Sequence, residues 1–248
     1  MPTPTLIQYQ TMPVEGIVLD ARRAVFFPDS ATLAVADLHL GYPWAKRARG
    51  ALLPLSAPDD TADRLVELQR VHGAKRIVVL GDVIHDAVAL PVLEKLLRDF
   101  CERLGPASAL VFCLGNHDRS LGKLVREWKL PVACQREFEL GSCVLLHGDA
   151  ASAEVGEGND FQLDRPAPLR RVVGHEHPCI TLDDGVTSRV KCPAFLIADD
   201  LVVLPAFSAW AAGCEFGRQP FLGPLARAAK FRTAVACVGP RLLRLPLR

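Results

Sequence analysis

The sequence predicts an α/β fold in which a parallel sheet covered by helices is followed by a second, largely antiparallel sheet packed against it. Two observations lead there. Apolar, β-branched runs alternate with helical patterns over the first half of the chain, and from Phe138 onward the pattern changes to short strands joined by close turns. A third points to function: five short segments at strand ends set a metal-binding side chain beside a glycine or an aspartate.

Ile17–Ala21 and Ala24–Phe27 read as paired strands, and Thr32–Ala36 is a β-branched and apolar run that stops at Asp37. A helical pattern follows from about Ser56, with Pro58 and Asp59 as start signals and Gly73 as the stop. Ile77–Leu80 is the next strand and ends at Gly81-Asp82. A second helix sets Leu90, Leu93, Leu97, Phe100 and Leu104 at helical spacing and ends before Gly105-Pro106; the strand Ala109–Leu114 then ends at Gly115-Asn116. The β-α-β-α-β order implies parallel strands, and ligands of such sheets gather beyond the carboxyl ends of the strands.

The second sheet is expected from Cys143–Leu146, Arg171–Val173, Val186–Val190, Phe195–Ala198, Leu201–Leu204 and a hairpin around Gly239-Pro240. Between its first two strands, Asp149–Asp160 is rich in glycine, alanine and acids without periodicity and reads as a mobile loop over the site. A chain of 248 residues, half of them apolar, suits one domain spanning 1–248. No internal repeat or low-complexity tract interrupts it.

Eight cysteines without a C-x-x-C pair, several inside apolar runs, predict free buried thiols in a reducing cytoplasm. The first sixteen residues lack a basic-then-apolar pattern and no apolar run approaches the ~20 residues of a membrane span, so a soluble, cytoplasmic protein that is not exported is expected. A net charge of +1 excludes nothing, but after Glu215 there is no acid while seven basic residues follow; they form either a solvated surface or a grip on phosphates.

The chemistry concentrates in Asp37-Leu38-His39, Gly81-Asp82, Gly115-Asn116-His117-Asp118, His147-Gly148-Asp149 and Gly174-His175-Glu176-His177. Five of the seven histidines lie inside them. A lone histidine is more often a core or surface residue than a ligand, but this concentration in strand-end segments reads as a two-metal hydrolytic centre. Two divalent ions roughly 3.5–4 Å apart need a bridging ligand, and a carboxylate serves; Asp82, at the end of a central strand, is the choice. Histidine and asparagine add no charge, so the ions keep a positive surplus that suits a phosphoester. The sequence contains no G-x-x-x-x-G-K-[ST] loop, no strand-borne G-x-G-x-x-G, no G-x-S-x-G elbow and no H-E-x-x-H.

In this order the five segments resemble the motif set of the calcineurin-like metallophosphoesterases, over residues 33 to 178. The resemblance implies a four-layer β-sandwich flanked by helices, with a di-metal site on loops at strand ends. It implies one metal held by Asp37, His39, Asp82 and His177, and a second by Asp82, Asn116, His147 and His175. His117 is then the acid beside the leaving group, oriented by Asp118, while a metal-bound hydroxide attacks phosphorus in line. His85 and Asp86 are expected to support the ligands or staple the loop. The N/O ligand set suits manganese first, or iron, zinc, cobalt or nickel.

Within that family the chain is similar to the DNA-ligase-associated, PdeM-type phosphoesterases, which also keep company with a helicase. The similarity lies in Asp37-Leu38-His39-Leu40-Gly41, Lys46-Arg47 with Gly50 and Pro54, Gly81-Asp82-x-x-His85, Gly174-His175-x-His177-Pro178 and Leu204-Pro205-Ala206-Phe207. It departs at Tyr42, where a lysine is expected, and in the turn 208–213; both departures touch substrate contacts, not metal binding. The type implies a phosphodiesterase or endonuclease acting on single-stranded DNA or RNA in the DNA damage response. Asn116, Arg47, Arg49, Arg119 and Lys123 are candidate phosphate contacts, and Tyr42 and Trp44 either stack on bases or pack against the sheet. The alternatives are an enzyme for small phosphate esters or cyclic nucleotides, and a non-catalytic interaction scaffold, which should have lost ligands.

Overall fold

A computed structural model of the chain describes residues 8–53, 60–85, 90–105, 109–150, 170–183, 185–211 and 213–247. It opens with β1 (Thr11–Val14), β2 (Ile17–Asp20), β3 (Ala24–Phe27) and β4 (Thr32–Ala36), an antiparallel run. Then come α1 (Tyr42–Ala48), α2 (Thr61–His72), β5 (Arg76–Leu80), α3 (Leu90–Leu104), β6 (Ala109–Cys113), α4 (Leu121–Glu127) and β7 (Val132–Gln135). Strands β4 to β7 are parallel, and together the seven strands form one sheet in sequence order.

Alternation along the parallel strands explains the layers. Leu33, Val35, Ile77, Val79 and Phe112 face a core shared with Leu65 and Leu68 of α2, Leu93 and Leu97 of α3, and Leu121 of α4. Their neighbours Ala34, Ala36, Val78, Leu80, Val111 and Cys113 face the other way, onto Leu145, Val172, Phe195, Val202, Leu204 and Val235 of the second sheet. Strands buried on both faces read as continuous apolar runs, which is why β4 and β5 stand out in the sequence.

The second sheet contains β8 (Glu137–Leu140), β9 (Cys143–Leu146), β10 (Arg170–Val173), β11 (Pro178–Asp183), β12 (Arg189–Ile197), β13 (Leu201–Val203) and β14 (Cys214–Glu215). After α5 (Pro224–Ala228), β15 (Thr233–Val238) and β16 (Arg241–Pro246) extend it as the expected hairpin. Its outer face packs on α5 and on Phe216, Phe221 and Phe231, a thin fourth layer.

One expectation needs refining and one needs correction. The second sheet is largely antiparallel, as expected, but its centre is parallel: β10 lies between β9 and β13 and pairs with both in parallel. This alignment brings the carboxyl ends of β9 and β10 to the site. Val186–Val190 is not a strand of its own, because Asp183 holds a turn there, accepting from Gly185 N–H at 2.6 Å and Arg189 Nε at 2.7 Å. Strand β12 then runs unbroken through Pro193 to Ile197, pairing with β11 along its first half and with β13 and β15 along its second. The first helix is described from Thr61; Ser56, Pro58 and Asp59 fall outside the described residues, as do Asp86 and residues 151–160 of the expected loop over the site.

Candidate metal centre

The loops after β4 and β5 run on side by side beyond the sheet. Asp37 N–H donates to Gly81 O, His39 N–H to Asp82 O, Leu40 N–H to Val83 O and His85 N–H to Leu40 O, at 2.8 to 3.2 Å. These loops and the one after β10 hold strained backbone: Asp37, His39, Asp82, His175 and His177 all have positive φ, between 45° and 69°. Among the described residues only four other non-glycine residues do. Such conformations cost about 1–3 kcal/mol each and persist where the surroundings over-determine them, typically at functional sites. Close approach demands glycine nearby. A Cβ on Gly174 would lie 2.6 Å from Ala36 Cβ and 2.9 Å from Asp37 Oδ2. Gly81, at φ +72°, leaves its space to the His147 ring.

Two donor groups result. Asp37, His39, Asp82 and His177 form one, and Asp82, His147 and His175 the other; within each, the ligand atoms lie within 4.8 Å of one another. Asp82 belongs to both. In the second, His147 donates from Nδ1 to Leu80 O at 2.9 Å, which fixes its tautomer and leaves the Nε2 lone pair inward. That Nε2 faces Asn116 Oδ1 at 3.1 Å and His175 Nδ1 at 3.1 Å, so Asn116 joins the group. In the first, the Nε2 atoms of His39 and His177 stand 3.3 Å apart, and His177 Nε2 is 3.2 Å from Asp37 Oδ1. His175 also donates its backbone N–H to Asp37.

Imidazole nitrogens converging on shared points, beside two carboxylates buried to 0% and 3% exposure, are the donor chemistry of a divalent-metal site. Electrostatics agree. Burial, joined by His177, His85 and His117, pushes His39 down to about 3, and burial with His147 pushes His175 down to about 4, so both are neutral, the form that ligates. Burial also pulls His147 and His177 down, but Asp37 and Asp82 outweigh it and raise both. Asp82 is raised, first by burial and then by the charge of Asp37.

His117 lies in neither donor group. Its side chain is 35% exposed, its Nε2 stands 3.9 Å from Asp82 Oδ2, and its backbone N–H donates to Asp82 Oδ1 at 3.1 Å. Asp118 is fully buried, and burial lifts it to about 6 against the backbone donors it faces. Those donors are the N–H groups of Gly115, Val83 and Ile84, at 3.0, 3.2 and 3.2 Å. Its hydrogen bonds therefore clamp the loops after β5 and β6 together rather than reaching the His117 ring.

The substrate-contact candidates are more scattered. Arg119, Arg47 and Arg49 are exposed; Arg47 donates to Leu53 O at 2.8 Å, and Lys123 pairs with Glu127 along α4. Two residues outside the expected ligand set gain weight: His85, expected to support the ligands, and Glu176, for which the sequence suggests no role. His85 sets Nδ1 3.4 Å from His39 Nδ1 and stacks on His117 at 5.8 Å, and only the three-residue offset from Asp82 signalled it. Glu176, between two histidines and 2% exposed, accepts from the N–H groups of Leu222 and Gly223 at 2.8 and 2.6 Å, fastening that segment to the site.

Paired donor groups sharing one carboxylate, on loops at the edge of a two-sheet sandwich, define a class, and residues 31–177 match the family profile described as calcineurin-like phosphoesterase. The chain belongs to that family and is a hydrolase acting on phosphoester bonds, in a family that works through a dinuclear metal site. Among solved structures, the chain is similar in fold to a nuclease from Pseudomonas putida called MPE. The TM-score is 0.67 and the identity 24%, over 96% of this chain and 100% of that one. No curated protein matches the chain. No helix among the described residues is long and apolar enough to cross a membrane.

Proposed function

We propose that this chain is a manganese-dependent phosphodiesterase, an endonuclease of single-stranded DNA or RNA. The observation behind the reading is the Asp82 carboxylate, common to both donor groups. Asp37, His39, Asp82 and His177 would hold one ion, and Asp82, Asn116, His147 and His175 the other. When bound, the two ions supply charge stabilisation for in-line displacement at phosphorus.

The chain's own groups do the rest. His117, exposed and outside both donor groups, delivers a proton to the departing oxygen. Asp118 and the backbone bonds between the loops hold this geometry before substrate arrives. Arg47, Arg49, Arg119 and Asn116 contact flanking phosphates.

The nucleic-acid substrate is supported by the likeness to the Pseudomonas putida nuclease and by the basic residues after the first metal-binding segment. A role in DNA repair beside a ligase and a helicase, a cytoplasmic location and a single domain over 1–248 complete the reading. A panel of single-stranded and duplex DNA, RNA, cyclic nucleotides and small phosphate esters tests it, each run with Mn²⁺, Zn²⁺, Co²⁺, Ni²⁺ and Fe²⁺. The result expected is endonucleolytic cleavage of single strands, fastest with Mn²⁺. Turnover of small esters alone, with no inhibition by oligonucleotides, would replace it with the small-phosphoester reading.

A further inference from the structure

The two places where the sequence departs from the pattern it resembles, Tyr42 and the turn after Phe207, meet in space. The rings of Tyr42 and Trp210 stack at 5.6 Å with planes 12° apart, and both are partly exposed. Tyr42 lies 4.5 Å from the His85 ring, which itself stands 5.2 Å from His39 and 5.8 Å from His117. A row of rings thus leads outward from the candidate metal centre to the aromatic pair. Lys46 sets its ammonium 5.2 Å from the centre of the Tyr42 ring, a cation beside the platform.

The platform is held in place before any ligand arrives. Arg23 Nη1 donates to the carbonyls of Ala206 and Ser208 at 3.2 and 3.0 Å, and Arg64 Nη1 to that of Phe207 at 2.9 Å. Two arginines from the opposite end of the sequence therefore fix three successive carbonyls. Phe207 and Ser208 add N–H bonds to Ala36 O and Asp37 O, and Trp210 N–H donates to Ser208 Oγ at 3.2 Å. A rigid aromatic surface loses little freedom when a planar ligand lands on it.

The geometry points to the Tyr42–Trp210 pair as a stacking subsite for one nucleobase of a single-stranded polynucleotide, next to the phosphodiester being cleaved. The inference rests on the nucleic-acid reading above and names how that substrate is gripped. Stacking takes any base, because every base has a π-face, and Lys46 answers the adjoining phosphate. The subsite therefore raises affinity for strands without selecting sequence.

The test is steady-state cleavage by the metal-loaded chain of an intact single strand and of strands bearing one abasic residue at successive positions. For the unaltered protein, base removal at one position flanking the cleaved bond raises KM about tenfold and leaves kcat within about twofold. Trp210→Ala raises KM about tenfold on the intact strand, and the abasic residue then adds less than about twofold, since both changes remove one contact. Trp210→Phe, which keeps a π-face, loses less than about threefold. Losses that multiply, or a Trp210→Phe variant as impaired as Trp210→Ala, overturn the subsite while leaving the nucleic-acid reading intact. An unaltered protein that hydrolyses bis(p-nitrophenyl) phosphate but cleaves no strand overturns that reading and the subsite with it.

Discussion

Two buried clusters in this molecule are built from aspartate and histidine, and they are finished in opposite ways. At Asp20, Arg22 donates from Nε and Nη2 at 2.9 and 2.7 Å and from its backbone N–H at 2.9 Å, and His72 Nε2 stands at 2.9 Å. Burial would raise the Asp20 carboxyl, but these partners hold it at about 2. At Asp37 and Asp82 the ion-pair partners among the described residues are histidines alone. There Asp82 is raised and imidazole nitrogens face one another at 3.3 and 3.1 Å. The first cluster satisfies its carboxylate with protein donors and contributes to stability. The second meets its carboxylates only with backbone N–H groups and imidazoles, on strained backbone, the donor set that would receive ions.

The largest expected effect breaks the open cluster. Asp82→Asn removes the ligand common to both donor groups, and turnover of bis(p-nitrophenyl) phosphate falls by about 10³-fold or more, the equivalent of several kcal/mol of charge stabilisation. Retained turnover would remove Asp82 from its bridging place.

Next is His117→Ala, with a loss of about 10²–10³-fold on esters whose leaving group needs a proton and less than about tenfold on p-nitrophenyl esters. Equal losses on both would give His117 a binding role.

Gly174→Ala tests how tightly the two sheets meet at the site. Its Cβ would press on Ala36 Cβ at 2.6 Å and Leu80 O at 2.9 Å, so unfolding free energy should drop by about 1–3 kcal/mol and metal content should fall with it. A variant of unchanged stability and metal content would show that the loops yield.

The effect smallest at the metal site belongs to the closed cluster. Because the Asp20 carboxyl is depressed from 3.8 to about 2, its contribution is complete above the ordinary value and is lost as pH falls toward 2. Asp20→Asn should cost about 2 kcal/mol at neutral pH, flatten the stability curve between pH 4 and 2, and leave metal content unchanged. Chemical denaturation across that pH range measures it, and an unchanged curve would mean that the cluster does not titrate with folding.

Much of the open cluster was legible in the sequence because its ligands sit directly after apolar runs that are buried on both faces. β4, β5 and β6 announce their ends at Asp37, Gly81 and Gly115 for that reason. The positive φ at Asp37, His39 and His177 was not legible, since nothing in a non-glycine residue marks a left-handed backbone. Helices α1 and α4, seven residues each, are too short to show a period. The parallel alignment of β9 and β10 depends on a crossover through residues without periodicity, so turn chemistry suggested hairpins instead. The Asp20 cluster passed unnoticed because Asp20-x-Arg22 looks like an ordinary strand end until His72 closes on it from α2. The contact between Tyr42 and Trp210 likewise exists only through the fold.

The central claim is that Asp82 joins two ions, and manganese loading followed by electron paramagnetic resonance tests it most directly. The account predicts two Mn²⁺ per chain with the exchange-coupled multiline spectrum of a bridged pair, collapsing to an uncoupled signal in Asp82→Asn. One ion per chain at saturation, or two that never couple in the unaltered protein, would contradict it.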